Sequence, residues 1–224
     1  MRASLLSLAL VGTALASPVD LLSRSLCLSY TLIDTRGTGE PQGPSAGFIT
    51  MNRNILAAKP GGRVYSTVYP ADFTQYSAAG TADILRELSA ELAEDPARCF
   101  ILEGYSQGAA ATVNALEKLP VSDPRYAAIK GVFLIGNPVH KAGLECNVDT
   151  KGGDSTKNVN GISASYDGPI PAAYVGKSLD VCQFGDGVCD TTHGVGINPP
   201  HLVYPSDAGT QRQGTEFVLA RLSI

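Results

Sequence analysis

Short apolar runs bounded by Gly, Pro or Asp alternate along this chain with longer stretches of helical period. The runs at 28–34 (LSYTLID), 63–69 (RVYSTVY), 99–104 (CFILEG), 130–136 (KGVFLIG) and 178–184 (SLDVCQF) are rich in β-branched and aromatic residues and predict strands. Helices are predicted over 45–58, 74–94, 107–119 and 206–222. In the second of these, Ile84, Leu85, Leu88 and Leu92 fall at i, i+1, i+4 and i+8 and form an apolar stripe. Strand alternating with helix implies parallel strands with crossover helices on both faces, a three-layer α/β domain around a mostly parallel sheet. Residues 137–177, rich in Gly, Asn, Asp and Pro, fit this least well and are expected to form long surface loops.

The first residues, MRASLLSLALVGTALASPV, break the pattern: one arginine, an apolar run, then Ala14-Leu15-Ala16. The run is shorter than the roughly 20 apolar residues that span a bilayer. A signal peptide over 1–16, cleaved after Ala16, is therefore expected. Residues 17–26 read as a short pro-segment ending near Arg24, and 27–224 as one domain, a length ample for a proper core. The mature chain is thus expected to be exported, without integral membrane association, and a monomer. A net charge of −4 with no basic run argues against a nucleic-acid partner.

Export makes the five cysteines readable as disulfides. Cys182 and Cys189 flank a glycine-rich turn and can close a small ring; Cys27, Cys99 and Cys146 then leave one thiol over in any pairing. A Cys27–Cys99 bridge would tie the N-terminus to the sheet, and the spacing does not choose between it and its rivals.

Chemistry enters at Gly104-Tyr105-Ser106-Gln107-Gly108, where a strand turns into a helix. A G-x-S-x-G turn at a strand's carboxyl end exposes the serine hydroxyl over a helix amino end that favours negative charge. Such a serine is a nucleophile only with a base that a carboxylate orients. A glycine-rich turn with a capping serine is the bland alternative, outweighed by the FILE strand before it and the AAATVNAL helix after. Val175-Gly176-Lys177-Ser178 is no phosphate loop, because Pro171 stands where the first glycine is needed and a strand follows rather than precedes.

Of three histidines, His140 follows the strand after the nucleophile too early to have an acid-bearing strand before it, and is expected to be a loop histidine. Asp186 lies just past a strand end inside the Cys182–Cys189 ring, which would fix its carboxylate. His193 and His201 both follow it in loops, and spacing does not separate them. His193 with Asp190 supplies only two ligands, too few for a metal site.

Arg36-Gly37-Thr38 after the first strand, GYSQG, the C-x-x-G-D-x-V-C ring and the final P-H-L-x-Y together resemble the cutinase and acetylxylan esterase family, in the right order from Cys27 to the last helix. The resemblance implies an α/β-hydrolase fold in its small, lidless form, with no metal or organic cofactor. It implies Ser106 as nucleophile, Asp186 as acid and His201, ahead of Leu202 and Tyr204, as base. The backbone N–H of Gln107 and Thr38 would form the oxyanion hole. The family's pattern would place the partner of Cys27 several residues before the third strand; here Cys99 at the strand's start is the candidate, with Cys146 a rival. The stretch between acid and base is also slightly long, which leaves the pocket wall open to difference.

The substrate implied is an ester. Val195, Ile197, Pro199, Pro200 and Leu202, with Phe73 and Tyr76, would form an apolar rim suited to a cutin-like polyester. Acetylxylan is the alternative substrate, and a catalytically silent wall-binding or host-interaction protein the alternative from another class.

Overall fold

The computed structural model describes residues 27–223, so the signal-peptide and pro-segment readings lie outside the described residues. Six strands, β1 (Tyr30–Thr35), β2 (Gly62–Ser66), β3 (Cys99–Tyr105), β4 (Ile129–Ile135), β5 (Asn147–Val148) and β6 (Ser178–Val181), form one sheet in the order β2-β1-β3-β4-β6-β5. Every neighbouring pair is parallel. The helices are α1 (Ile49–Ala58), α2 (Ala78–Glu94), α3 (Gln107–Glu117), α4 (Pro124–Ala128), α5 (Ala172–Val175) and α6 (Ala208–Arg221).

Both faces of the sheet are covered, so the period-2 alternation within each strand divides two apolar clusters instead of apolar from polar. Ile33, Phe100, Leu102, Val132 and Leu134 pack with Ile84, Leu88, Val113 and Leu116 of α2 and α3. Leu32, Ile101, Phe133 and Ile135 pack on the other side with Met51 and Ile55 of α1 and Val218 of α6. From β1 the chain moves outward to β2, returns to β3, and then builds away through β4 and β6. The carboxyl ends of β1 and β3 therefore flank the point where the winding reverses, the crevice in which open α/β sheets bind ligands.

Two helix starts fall four residues later than the sequence pattern predicts, for local reasons, and a short helix is new to it. The 45–58 stretch becomes helical only at Ile49, because the Ser45 and Ala46 N–H groups are taken by the carboxylates of Asp34 (3.0 Å) and Glu40 (2.7 Å). The 74–94 stretch begins at Ala78, after a turn in which Asp72 accepts the Thr74 N–H and Gln75 adopts φ 62°. Helix α4 was not anticipated; Pro124 opens it and Asp123 caps it by accepting the Arg125 N–H.

Residues 137–177 are not surface loop throughout. They contribute β5 at the sheet edge and α5, and bury His140, Asn147, Thr156, Ile170 and Tyr174. His140 is a wholly buried histidine, its Nδ1 2.8 Å from Asp180 and its Nε2 3.0 Å from the Thr156 carbonyl. Its polar partners are what let a segment of loop composition lie inside. Cys27 bridges Cys99, Cys182 bridges Cys189, and Cys146 is a buried free thiol.

Candidate active site

Ser106 ends β3 with φ 55° and ψ −120°, a left-handed conformation that a residue with a Cβ adopts only under constraint. Its flanking glycines are required by close approach. A Cβ on Gly104 would lie 2.6 Å from Ala109 Cα, and one on Gly108 would lie 2.0 Å from the Thr35 carbonyl oxygen. The two glycines thus let α3 start directly against β3 and β1, while the Ser106 N–H is held by the Ile135 carbonyl at 3.0 Å.

Ser106, His201 and Asp186 meet at this end of the sheet. His201 Nε2 is 2.9 Å from Ser106 Oγ, and Nδ1 is 2.9 Å from both carboxylate oxygens of Asp186. Since Nδ1 faces a carboxylate, it carries the proton, which leaves Nε2 to accept from the serine. Asp186 lies in the loop after β6, fully buried, and also accepts from the Val188 N–H at 2.8 Å and the Tyr204 hydroxyl at 2.5 Å. Cys189 Sγ, oxidised and without a proton, packs 3.2 Å from the same oxygen as Tyr204.

His201 lies in a short 3-10 turn, Pro199–Leu202, in which Asn198 Oδ1 accepts the His201 N–H. The Asn198 amide also donates to the Gly185 carbonyl (2.8 Å) and accepts from the Gly187 N–H (3.2 Å), so one side chain ties the His201 loop to the Asp186 loop. Tyr105 Oη donates to the His201 carbonyl at 2.7 Å. Gly136, at φ 56°, leaves room for the imidazole; a Cβ there would lie 2.7 Å from His201 Cε1. His193 stands apart from the serine. Its half-exposed ring leans on Phe184 (4.3 Å) and bonds Thr192 and Asp190. Burial works against the charge of Asp190, but donors from Thr192, Gly185 and His193 leave its pKa below the usual value.

Thr38 follows β1 and Gln107 opens α3, so both candidate oxyanion donors border the serine. Thr38 Oγ1 is held by the Gln75 side-chain amide, whose Nε2 lies 3.1 Å away. The Gln107 amide donates to the Asp72 carbonyl at 3.1 Å, and the Gly39 N–H to Ala71 at 2.7 Å. The 71–75 segment, which has left-handed non-glycine residues at Ala71 and Gln75, is therefore strapped to both donors. Gln75, Asp72 and Asn198 carry no sequence motif, and only their contacts reveal them.

A cavity of about 350 Å³ opens above Ser106, lined by Thr38, Phe73, Tyr105, Ile197, His201 and Leu202 among others. Phe73, Ile197 and Leu202 remain largely exposed, as do Val195 and Tyr76 farther out. A larger groove, about 820 Å³, lies at the opposite end of the sheet against the start of β3 and holds none of the three residues. Below the serine, Asp34 and Glu103 sit side by side in register on β1 and β3, both buried. Burial first, then Glu40, pushes the Asp34 carboxyl up to about 8 against the Ser45 N–H; burial and the neighbouring Asp34 push Glu103 well above the carboxylate range. Among the described residues no three or more His, Cys, Asp or Glu side chains converge as a metal site would. No described helix is long and apolar enough to cross a membrane.

A family model described as Cutinase matches residues 26–222. Cutinase 11 of Verticillium dahliae is 28% identical over 166 residues, 64% of this chain and 56% of that protein, so the match spans little more than half of that relative's length. A solved cutinase-like protein from Cryptococcus sp. is 61% identical, with a TM-score of 0.88 over 89% of this chain and 97% of that chain. The catalytic core domain of acetyl xylan esterase from Trichoderma reesei is 25% identical, with a TM-score of 0.70 over 87% of this chain and 99% of that one.

Proposed function

Because this chain belongs to the cutinase family, we propose that it is a secreted serine esterase that cleaves carboxylic esters through an acyl-enzyme, with a cutin-like polyester as substrate. The observation that carries the reading is the unbroken line of contacts from Ser106 Oγ through the His201 ring to Asp186. As Ser106 Oγ bonds to the ester carbonyl carbon, its proton passes to His201 Nε2, and Asp186 stabilises the imidazolium. The carbonyl electrons gather on an oxyanion received by the N–H of Gln107, at the amino end of α3, and by Thr38. When the tetrahedral species collapses, the C–O bond to the alcohol breaks and His201 returns the proton to the departing oxygen. Water then attacks the acyl-serine by the same route.

Export fits the two disulfides, which persist in an oxidising compartment. The exposed apolar rim of Phe73, Ile197 and Leu202 favours a hydrophobic acyl chain held at a shallow, open site. Likeness to the acetyl xylan esterase core supports the second reading, removal of acetyl groups from xylan.

Hydrolysis of p-nitrophenyl acetate and butyrate by the purified protein tests both. Ser106→Ala should lower kcat by about 10⁴-fold or more, while His193→Ala should retain activity. Equal rates in the wild type and Ser106→Ala would remove the mechanism. Butyrate preference favours the polyester; turnover of acetate alone, with acetate released from xylan, favours the alternative.

A further inference from the structure

Tyr204 is fully buried, and its hydroxyl is the end point of two hydrogen bonds. The Gln183 N–H donates to Tyr204 Oη at 2.9 Å, occupying a lone pair on the phenol oxygen. The phenol's own proton is then free for Asp186 Oδ2, 2.5 Å away, and the carboxylate has none to offer in return. The backbone carbonyl of Tyr204 is bonded by the Gln211 amide at 2.9 Å, and its ring stands edge-on to Tyr105 and to His201. The residue is thus fixed at its backbone, its ring and its hydroxyl, with the hydroxyl aimed at one oxygen of the acid.

We propose that Tyr204 is a positioning residue for the esterase reaction: its phenol shares the charge of Asp186 and so sets how strongly that carboxylate holds His201. The inference rests on the reading of Ser106, His201 and Asp186 given above. A carboxylate that accepts a charge-assisted bond from a phenol is a weaker acceptor toward its other partner. Without the phenol, Asp186 keeps only the Val188 N–H beside His201, binds the imidazolium more tightly, and loses the bond that fixes its carboxylate in the orientation that aims His201 at Ser106. The titratable groups that face the Asp186–His201 pair are Tyr204 and Tyr105, with Glu40 lining the same cavity as His201; Asp190, on the same loop as Asp186, turns to Gly185, Thr192 and His193. Burial and the adjacent carboxylate keep the Tyr204 phenol far above its ordinary pKa, so it stays a donor through the working range.

The test is Tyr204→Phe, which keeps the ring and removes only the oxygen, assayed with p-nitrophenyl butyrate across pH. The expected result is a fall of about tenfold in kcat, equal to about 1.4 kcal/mol, with KM unchanged. In addition, the acidic limb of kcat/KM moves to higher pH, because the imidazolium persists longer beside an unshared carboxylate. Tyr105→Phe is the comparison: it removes a buried phenol bonded to the His201 carbonyl and not to the acid, and should leave the limb in place. A Tyr204→Phe enzyme with wild-type kcat overturns the proposal, as does one slowed with its limb unmoved or moved to lower pH. Activity surviving in Ser106→Ala would instead overturn the esterase mechanism.

Discussion

Asp34 and Glu103 make the folded protein sensitive to pH in a direction opposite to that of carboxylates held by ion pairs or hydrogen bonds. The two side chains are register partners on β1 and β3, 69 positions apart in sequence, and Glu103 Oε1 has no hydrogen-bond partner. Asp34 has a folded-state pKa of about 8 against 3.8 for the free group, so the native state binds the extra proton across that window. The contribution is complete below about pH 4 and is lost as pH rises toward 8, at about 1.4 kcal/mol per pH unit. Over the whole window this is on the order of 5 kcal/mol, comparable with the net stability of a typical domain. His140 acts in the same sense. Burial opposes its charge, but Asp180 and the Thr156 carbonyl hold its pKa above the ordinary value, and that contribution too is lost as pH climbs. Asp123 and Asp149, whose pKa values lie below the usual one, act oppositely and only in acid. Stability should therefore peak in mildly acidic solution.

Asp34→Asn isolates this group. It removes the titrating carboxyl and keeps an amide oxygen to accept the Ser45 N–H. Thermal unfolding at pH 5 and pH 8 is the assay. The wild type should lose on the order of 3–4 kcal/mol between them, or about 10 °C in Tm for a domain of this size; the variant should lose less than half as much and unfold later than wild type at pH 8. A wild-type Tm that is flat or rising from pH 5 to 8, or an equal pH slope in the variant, would refute the reasoning.

Gln75→Ala frees the Thr38 hydroxyl and one end of the 71–75 segment, and should reduce kcat/KM for p-nitrophenyl butyrate about tenfold, less than the roughly 10²–10³-fold loss of an oxyanion donor removed outright. Unchanged kinetics would show that Thr38 needs no such support. Replacing Cys27 and Cys99 together by serine opens a loop with a sequence separation of 72. The loop-closure relation gives about 4 kcal/mol of lost stability, measurable as a lower urea midpoint, with a higher m-value because the unfolded chain is less compact.

Much of this protein was legible in its sequence because the relevant forces are local. Alternation within LSYTLID and CFILEG, and the stripe Ile84, Leu88, Leu92 on α2, follow from side-chain period, and the sheet and its covering helices follow from those. Ser106 stood out because two glycines at fixed offsets are needed wherever a helix must start against the strand it leaves. The motif resemblance carried the choice of His201 over His193, which spacing had left open. Tertiary structure alone decided which distant groups became neighbours. Strand register placed Asp34 beside Glu103, and crossover order made β1 and β3 the walls of the crevice. The packing of a segment that residue composition marked as surface buried His140 against Asp180, and the docking of other loops brought Gln75 and Asn198 to the site. Such contacts depend on where whole elements dock, and their energy is shared among many residues, so no short stretch of the chain contains them.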